Sequence, residues 1–126
     1  SMEESNDNIK KTILVAEDVE SNFLLLKALL GKTYNLLHAY NGSEAVEMFD
    51  NNQPDLILMD VKMPVMDGLE ATRIIRQKST EIPIIALTAF AFDQDRIRVM
   101  EAGCNDFLTK PLSPPLLKET IIKYLK

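Results

Sequence analysis

Four short clusters in this 126-residue chain carry side chains suited to phosphoryl chemistry. Glu17-Asp18, Asp60, Thr88-Ala89 and Lys110-Pro111 each stand at the end of an apolar run. Three carboxylates brought together repel one another and resist full ionisation unless a cation lies between them. Oxygen donors without clustered Cys or His select Mg2+ over zinc or copper. Lys110 adds an ammonium group and Thr88 a hydroxyl, both able to stabilise charge on phosphoryl oxygens. A carboxylate is already ionised at neutral pH, so Asp60 can attack phosphorus without a base and become an aspartyl phosphate.

That chemistry requires elements that deliver all four clusters to one place. Ile13-Leu14-Val15-Ala16 reads as a buried strand, short and continuously apolar. A helix is expected from about Val19 to Leu30, closed by Gly31 as a left-handed cap. Tyr34 to Ala39 reads as a second strand, more polar and so nearer an edge. Asn41 then caps a helix, with Glu44 three residues on in a capping-box arrangement. Leu56-Ile57-Leu58-Met59 is the most uniformly apolar run and is expected at the sheet centre. Leu69 to Gln77 reads as helix, and Pro83 leads into a strand over Ile84 to Leu87. A polar helix follows over Asp93 to Ala102, with Gly103 past its end. Phe107-Leu108 marks a short last strand, and Ser113-Pro114 starts a helix. That final helix presents Leu117, Ile121, Tyr124 and Leu125 on one face. Five β/α units of this kind predict an α/β fold, doubly wound, with a parallel sheet and right-handed crossovers. Ligands of such folds sit beyond the carboxyl ends of the strands, where the four clusters stand.

Composition narrows the function classes. The chain suits one domain, with residues 1–10 expected as a disordered tail or cloning remnant and 11–126 as the domain proper. No apolar run approaches the roughly 20 residues that span a bilayer, so no membrane contact by this domain is expected. The net charge is −5 with no dense basic stretch, which argues against direct nucleic-acid binding. Cys104 is the one cysteine. A lone thiol excludes an internal disulfide or cysteine metal cluster and fits a reducing, cytoplasmic setting.

The ordered set Ile13-Leu14-Val15-Ala16-Glu17-Asp18, Asp60-Val61-Lys62-Met63-Pro64-Val65-Met66-Asp67-Gly68, Ala86-Leu87-Thr88-Ala89 and Asp106-Phe107-Leu108-Thr109-Lys110-Pro111 resembles the receiver domains of two-component response regulators, over about Thr12 to Leu125. The resemblance implies a flavodoxin-like three-layer (βα)5 sandwich with strand order 2-1-3-4-5. It implies Asp60 as phosphoacceptor and Mg2+ held directly by Asp18 and Asp60. Glu17 would reach the metal through water, and Lys62 would supply its backbone carbonyl. Thr88, the Ala89 amide and Lys110 would bind the phosphoryl group. A cis Lys110-Pro111 bond is common in the family and is inexpensive only before proline. Phe107 would be the switch aromatic that moves inward as Thr88 shifts, re-posing the face made by the last two β/α units. The family often has Tyr there, and Phe lacks the hydroxyl. The partners implied are a histidine kinase or histidine phosphotransfer domain, with room for a weak homodimer. As an isolated domain it would accept a phosphoryl group and self-dephosphorylate rather than act as an enzyme. The motif wording is most like the receivers of hybrid sensor histidine kinases, so the parent chain could be a membrane-anchored histidine kinase. A free-standing or DNA-binding regulator is the alternative. Val19 departs from the hybrid pattern, which places Asn there, while Asn22 keeps its place.

Two other readings fit less well. An aspartyl-phosphate phosphatase of the haloacid dehalogenase type needs an Asp two residues after the nucleophile, where Lys62 stands. A flavin module needs a Ser/Thr/Gly-rich loop after the first strand, and Glu17-Asp18-Val19-Glu20 would repel a phosphate. No Gly-x-x-x-x-Gly-Lys loop occurs for ATP. His38, between Leu37 and Ala39, reads as a structural strand residue rather than a phosphodonor. Asp93 and Asp95 read as helix N-terminal acids, and Met63 and Met66 as loop packing.

Overall fold

The computed structural model describes residues 9–89 and 93–126. Apart from Ile9 and Lys10, the expected tail lies outside the described residues. Strands β1 (Thr12–Ala16), β2 (Asn35–Ala39), β3 (Leu56–Asp60), β4 (Ile84–Thr88) and β5 (Asp106–Thr109) alternate with five helices. These are α1 (Glu20–Leu30), α2 (Gly42–Asn52), α3 (Gly68–Lys78), α4 (Asp93–Ala102) and α5 (Pro114–Tyr124). Every strand pairing is parallel and the order is β2-β1-β3-β4-β5, as the resemblance implied.

Strand alternation divides the core into two layers. Ile13, Val15, Leu56, Leu58, Ile85 and Leu87 pack with Phe23, Leu26, Leu117 and Ile121 of α1 and α5. Leu14, Ile57, Met59, Ile84 and Ala86 pack with Ala45, Leu69, Ile75 and Val99 of α2, α3 and α4. β3 and β4 are buried on both faces, which is why their sequences are continuously apolar rather than alternating. Each fully buried Leu or Ile contributes about 1.5–3 kcal/mol relative to exposure. The more polar β2 lies at an edge, as expected.

Capping sets the helix starts. The Asn41 side chain accepts from the Glu44 amide at 2.8 Å, while the Glu44 carboxylate accepts from the Tyr40 amide at 2.8 Å, one residue before the expected Asn41. Asp67 and Ser113 cap α3 and α5 through their side chains. Two expectations change. Val19 is the extended residue that precedes α1 rather than its first helical residue, and with no side-chain oxygen it makes no cap hydrogen bond. Gly31 is right-handed at φ −66°, so it is not a left-handed cap. The chain instead turns through Thr33 and Tyr34 amides donating to the Leu30 carbonyl. Gly103 does take positive φ (112°), just past α4.

Candidate functional site

Strand register explains why distant residues meet. Ala16 pairs with Met59, so Glu17 and Asp60 stand one step on at the same rim. Asp60 pairs with Leu87, and Thr88 with Thr109, which brings Thr88 and Lys110 alongside. Oxygen atoms of Glu17, Asp18 and Asp60 all lie within 4.8 Å of one another. Asp60 is 4% exposed and Glu17 1%, whereas Asp18 faces solvent. Thr88 is also buried.

The Asp60 carboxylate accepts from Lys110 and from the Lys62 backbone. Lys110 Nζ donates to Oδ2 at 2.9 Å, and the Lys62 amide donates to Oδ1 at 3.3 Å. Lys110 also reaches Glu17 Oε1 at 3.5 Å, while the other Glu17 oxygen accepts from the Val19 amide at 3.1 Å. Burial pushes the Glu17 carboxyl above its ordinary range; the Val19 amide lowers it, and the Asp60 charge raises it. Burial alone would lower the Lys110 ammonium, but its hydrogen bond to Asp60 and both carboxylate charges outweigh that and raise it. Lys110 is therefore firmly protonated. The Lys110-Pro111 peptide is cis.

The loop from β3 to α3 forms one lip of the site. The Met66 amide donates to the Pro64 carbonyl at 2.7 Å, closing a tight turn around Val65 at φ 69°. That region is rare for a β-branched residue. Val65 is 85% exposed. The turn is held by the Gly42 amide on the Met66 carbonyl and the Gly68 amide on the Val61 carbonyl, each at 2.9 Å. Gly68 is needed here, since a Cβ would lie 2.1 Å from the Asp60 carbonyl oxygen.

A cleft of about 810 Å³ opens over Asp60. Glu17, Asp18, Asp60, Lys62, Thr88, Ala89 and Lys110 all line it, so the sequence-derived site is brought together. Phe107 is not in its wall. It is half-buried in β5, with the Arg96 guanidinium carbon 5.3 Å from its ring centroid. Asp93 and Asp95 do lie in the first turn of α4, and Met63 and Met66 do pack against the core. Asp95 has a further position, however: with Arg98 and Val99 it lines the cleft. The spacing 95, 98, 99 is one helical face, a signal that acquires meaning only once α4 is known to flank Asp60.

His38 is a packing residue. Its ring stacks on Phe23 (centroids 3.8 Å apart, 6° between planes) and lies 3.9 Å from the Tyr40 ring. Nε2 is 2.8 Å from the Glu17 carbonyl oxygen, which ties β2 to the start of the acidic pair. Tyr40 donates its hydroxyl to Glu20 at 3.0 Å.

The donor set suits a divalent cation. Two buried carboxylates and one exposed carboxylate, all oxygen donors with no His or Cys among them, match Mg2+ rather than a softer metal. Among the described residues, no helix is long and apolar enough to cross a membrane.

Comparison with known proteins agrees with this geometry. Residues 13–122 match the model of the response regulator receiver domain. The polar-differentiation response regulator DivK of Brucella anthropi is 38% identical over 118 residues, covering 91% of this chain and 96% of that protein. The receiver domain of a sensor histidine kinase from Pseudomonas aeruginosa, with a magnesium ion coordinated in its active-site cleft, superposes with a TM-score of 0.86. It is 36% identical, covering 93% of this chain and 98% of that one. The signal receiver domain of a histidine kinase from Syntrophus aciditrophicus is also 36% identical, with a TM-score of 0.84 and 91% and 89% covered. A buried aspartate at the third strand end, an acidic pair at the first and a lysine at the fifth, on this sheet order and with this match, place the chain in the family of response regulator receiver domains of two-component signalling.

Proposed function

We propose that this domain accepts a phosphoryl group on Asp60 from a phosphohistidine, with Mg2+ bound beside it. The observation that carries the reading is the buried Asp60 carboxylate, hydrogen-bonded to Lys110 and close to two further acids. Asp18 and Asp60 would hold the cation directly, Glu17 through water, and Lys62 by its backbone carbonyl. The metal supplies charge neutralisation for the phosphoryl oxygens. Lys110 supplies a second positive charge at the same oxygens, and Thr88 with the Ala89 amide supplies hydrogen-bond donors. The first test incubates wild type and Asp60→Asn with Mg2+ and a phosphohistidine donor and compares intact masses. Wild type should gain one phosphoryl group and Asp60→Asn none; equal labelling would remove Asp60 from this role.

The phosphoryl group adds about −1.5 to −2 charges. Thr88 and Lys110 are the groups able to follow that charge, and Phe107 on β5 is the aromatic that would move with Thr88. The output surface would then be α4, β5 and α5. NMR shifts of Thr88, Phe107 and this surface should change when a phosphate mimic binds.

The partner is a histidine kinase or a histidine phosphotransfer domain. The motif wording favours a receiver fused to a hybrid kinase in a cytoplasmic setting. Two of the solved relatives are histidine kinase receivers, while DivK of Brucella anthropi is a response regulator. Recovering the full-length chain decides between them.

A further inference from the structure

We propose that Arg98, on the α4 wall of the cleft, is a specificity-determining residue that recognises the negative charge of an incoming phosphoryl donor. The inference rests on Asp60 being the phosphoacceptor and concerns which donors reach it. Lys110 is already engaged, at 2.9 Å from Asp60 and 3.5 Å from Glu17. A cleft of about 810 Å³ holds far more than one phosphoryl group, which leaves room for the rest of the donor beside the Met63-Pro64 lip and the α4 wall. Glu17, Asp18, Asp60, Asp67 and Asp95 line that space against the cations Lys62, Lys110 and Arg98, so a dianion meets more negative than positive groups before a metal binds. Arg98 supplies positive charge at the mouth. Its side chain is 66% exposed, and its guanidinium lies 3.8 Å from Asp95, beyond hydrogen-bonding distance. Exposed pairs of this kind are weak, so an arriving phosphoryl group can displace Asp95 from Arg98. The planar guanidinium fork also matches two phosphoryl oxygens at once.

During transfer an Asp60 oxygen bonds to phosphorus while the donor's bond to phosphorus breaks, the leaving group keeping that electron pair. Arg98 makes and breaks no bond; it holds the donor's charge. Its effect therefore depends on what charge the donor carries.

The test measures phosphorylation rates of the intact protein with Mg2+ and two small donors, followed by mass. Acetyl phosphate is a dianion at neutral pH, whereas phosphoramidate carries a compensating positive nitrogen. Arg98→Ala should lower the second-order rate constant for acetyl phosphate about two- to five-fold, and that for phosphoramidate clearly less. Arg98→Lys should restore most of the loss, and high salt should erase the difference between wild type and variant. Equal losses with both donors, or no loss, would overturn the proposal. So would an Arg98→Ala protein that no longer gains thermal stability from Mg2+, since Arg98 would then be structural. Labelling of Asp60→Asn at the wild-type level would instead remove the underlying assignment of Asp60.

Discussion

Glu17 is a carboxylate that the fold buries at a cost. Its folded-state proton affinity is raised above the ordinary 4.5, first by burial and then by Asp60. The native state thus binds this proton more tightly than the unfolded chain does. The resulting stability is complete below 4.5 and is lost as pH rises through the raised folded value. At neutral pH the ionised group therefore destabilises the metal-free protein. Glu17→Gln, which can still accept from the Val19 amide, should raise the metal-free melting temperature by a few degrees. The same variant should bind Mg2+ more weakly, as measured by titration. Differential scanning at pH 7 with and without Mg2+ checks both. Cys104 is governed by burial too. It is 4% exposed, its thiol is pushed up to about 11 by burial, and its Sγ lies 3.9 Å from Thr72 Oγ1. Native protein at neutral pH should resist alkylating reagents. Labelling should follow unfolding in denaturant, and rapid native labelling would contradict this.

At the element scale, the β3-α3 loop depends on contacts between residues far apart in the chain. Gly68→Ala places a methyl group 2.1 Å from the Asp60 carbonyl oxygen and 2.8 Å from Met59 Cγ. Overpacking of this kind costs about 1–3 kcal/mol, and denaturant melts should show it. Phosphorylation of Gly68→Ala should slow as well, because the displaced backbone carries Asp60. The strands were legible from sequence because β3 and β4 are apolar on both faces. Asn41 was legible as a cap because Glu44 stands three residues on, and the start of α5 because proline suits the first helical position. Val19, Gly31 and Val65 were not. Nothing local in valine announces an uncapped helix start, and the positive φ of Val65 is enforced by amides from Gly42 and Gly68. Arg98 and Asp95 were not legible as cleft residues either, since their i, i+3 spacing names a face but not its neighbour.

For the whole molecule, the sheet assembles a charged site from four separate strand ends, each a weak signal alone and a strong one only as an ordered set. Their convergence followed from parallel topology. A ligand bound only by the native state stabilises by mass action, so Mg2+ at ten times its dissociation constant should add about 1.4 kcal/mol. The melting temperature should rise accordingly and return when a chelator is added. Asp18→Ala should abolish most of that rise; a full Mg2+ response in the variant would separate Asp18 from the metal site. One consequence concerns light. The chain contains no tryptophan and three tyrosines. Tyr40 lies tilted against His38 and is hydrogen-bonded to a carboxylate, which also raises its phenol above the ordinary range. His38 in turn touches the Glu17 carbonyl. Tyrosine emission from this corner should be quenched, and disturbance of the acidic pair should brighten it, giving the domain a built-in optical reporter that needs no attached dye.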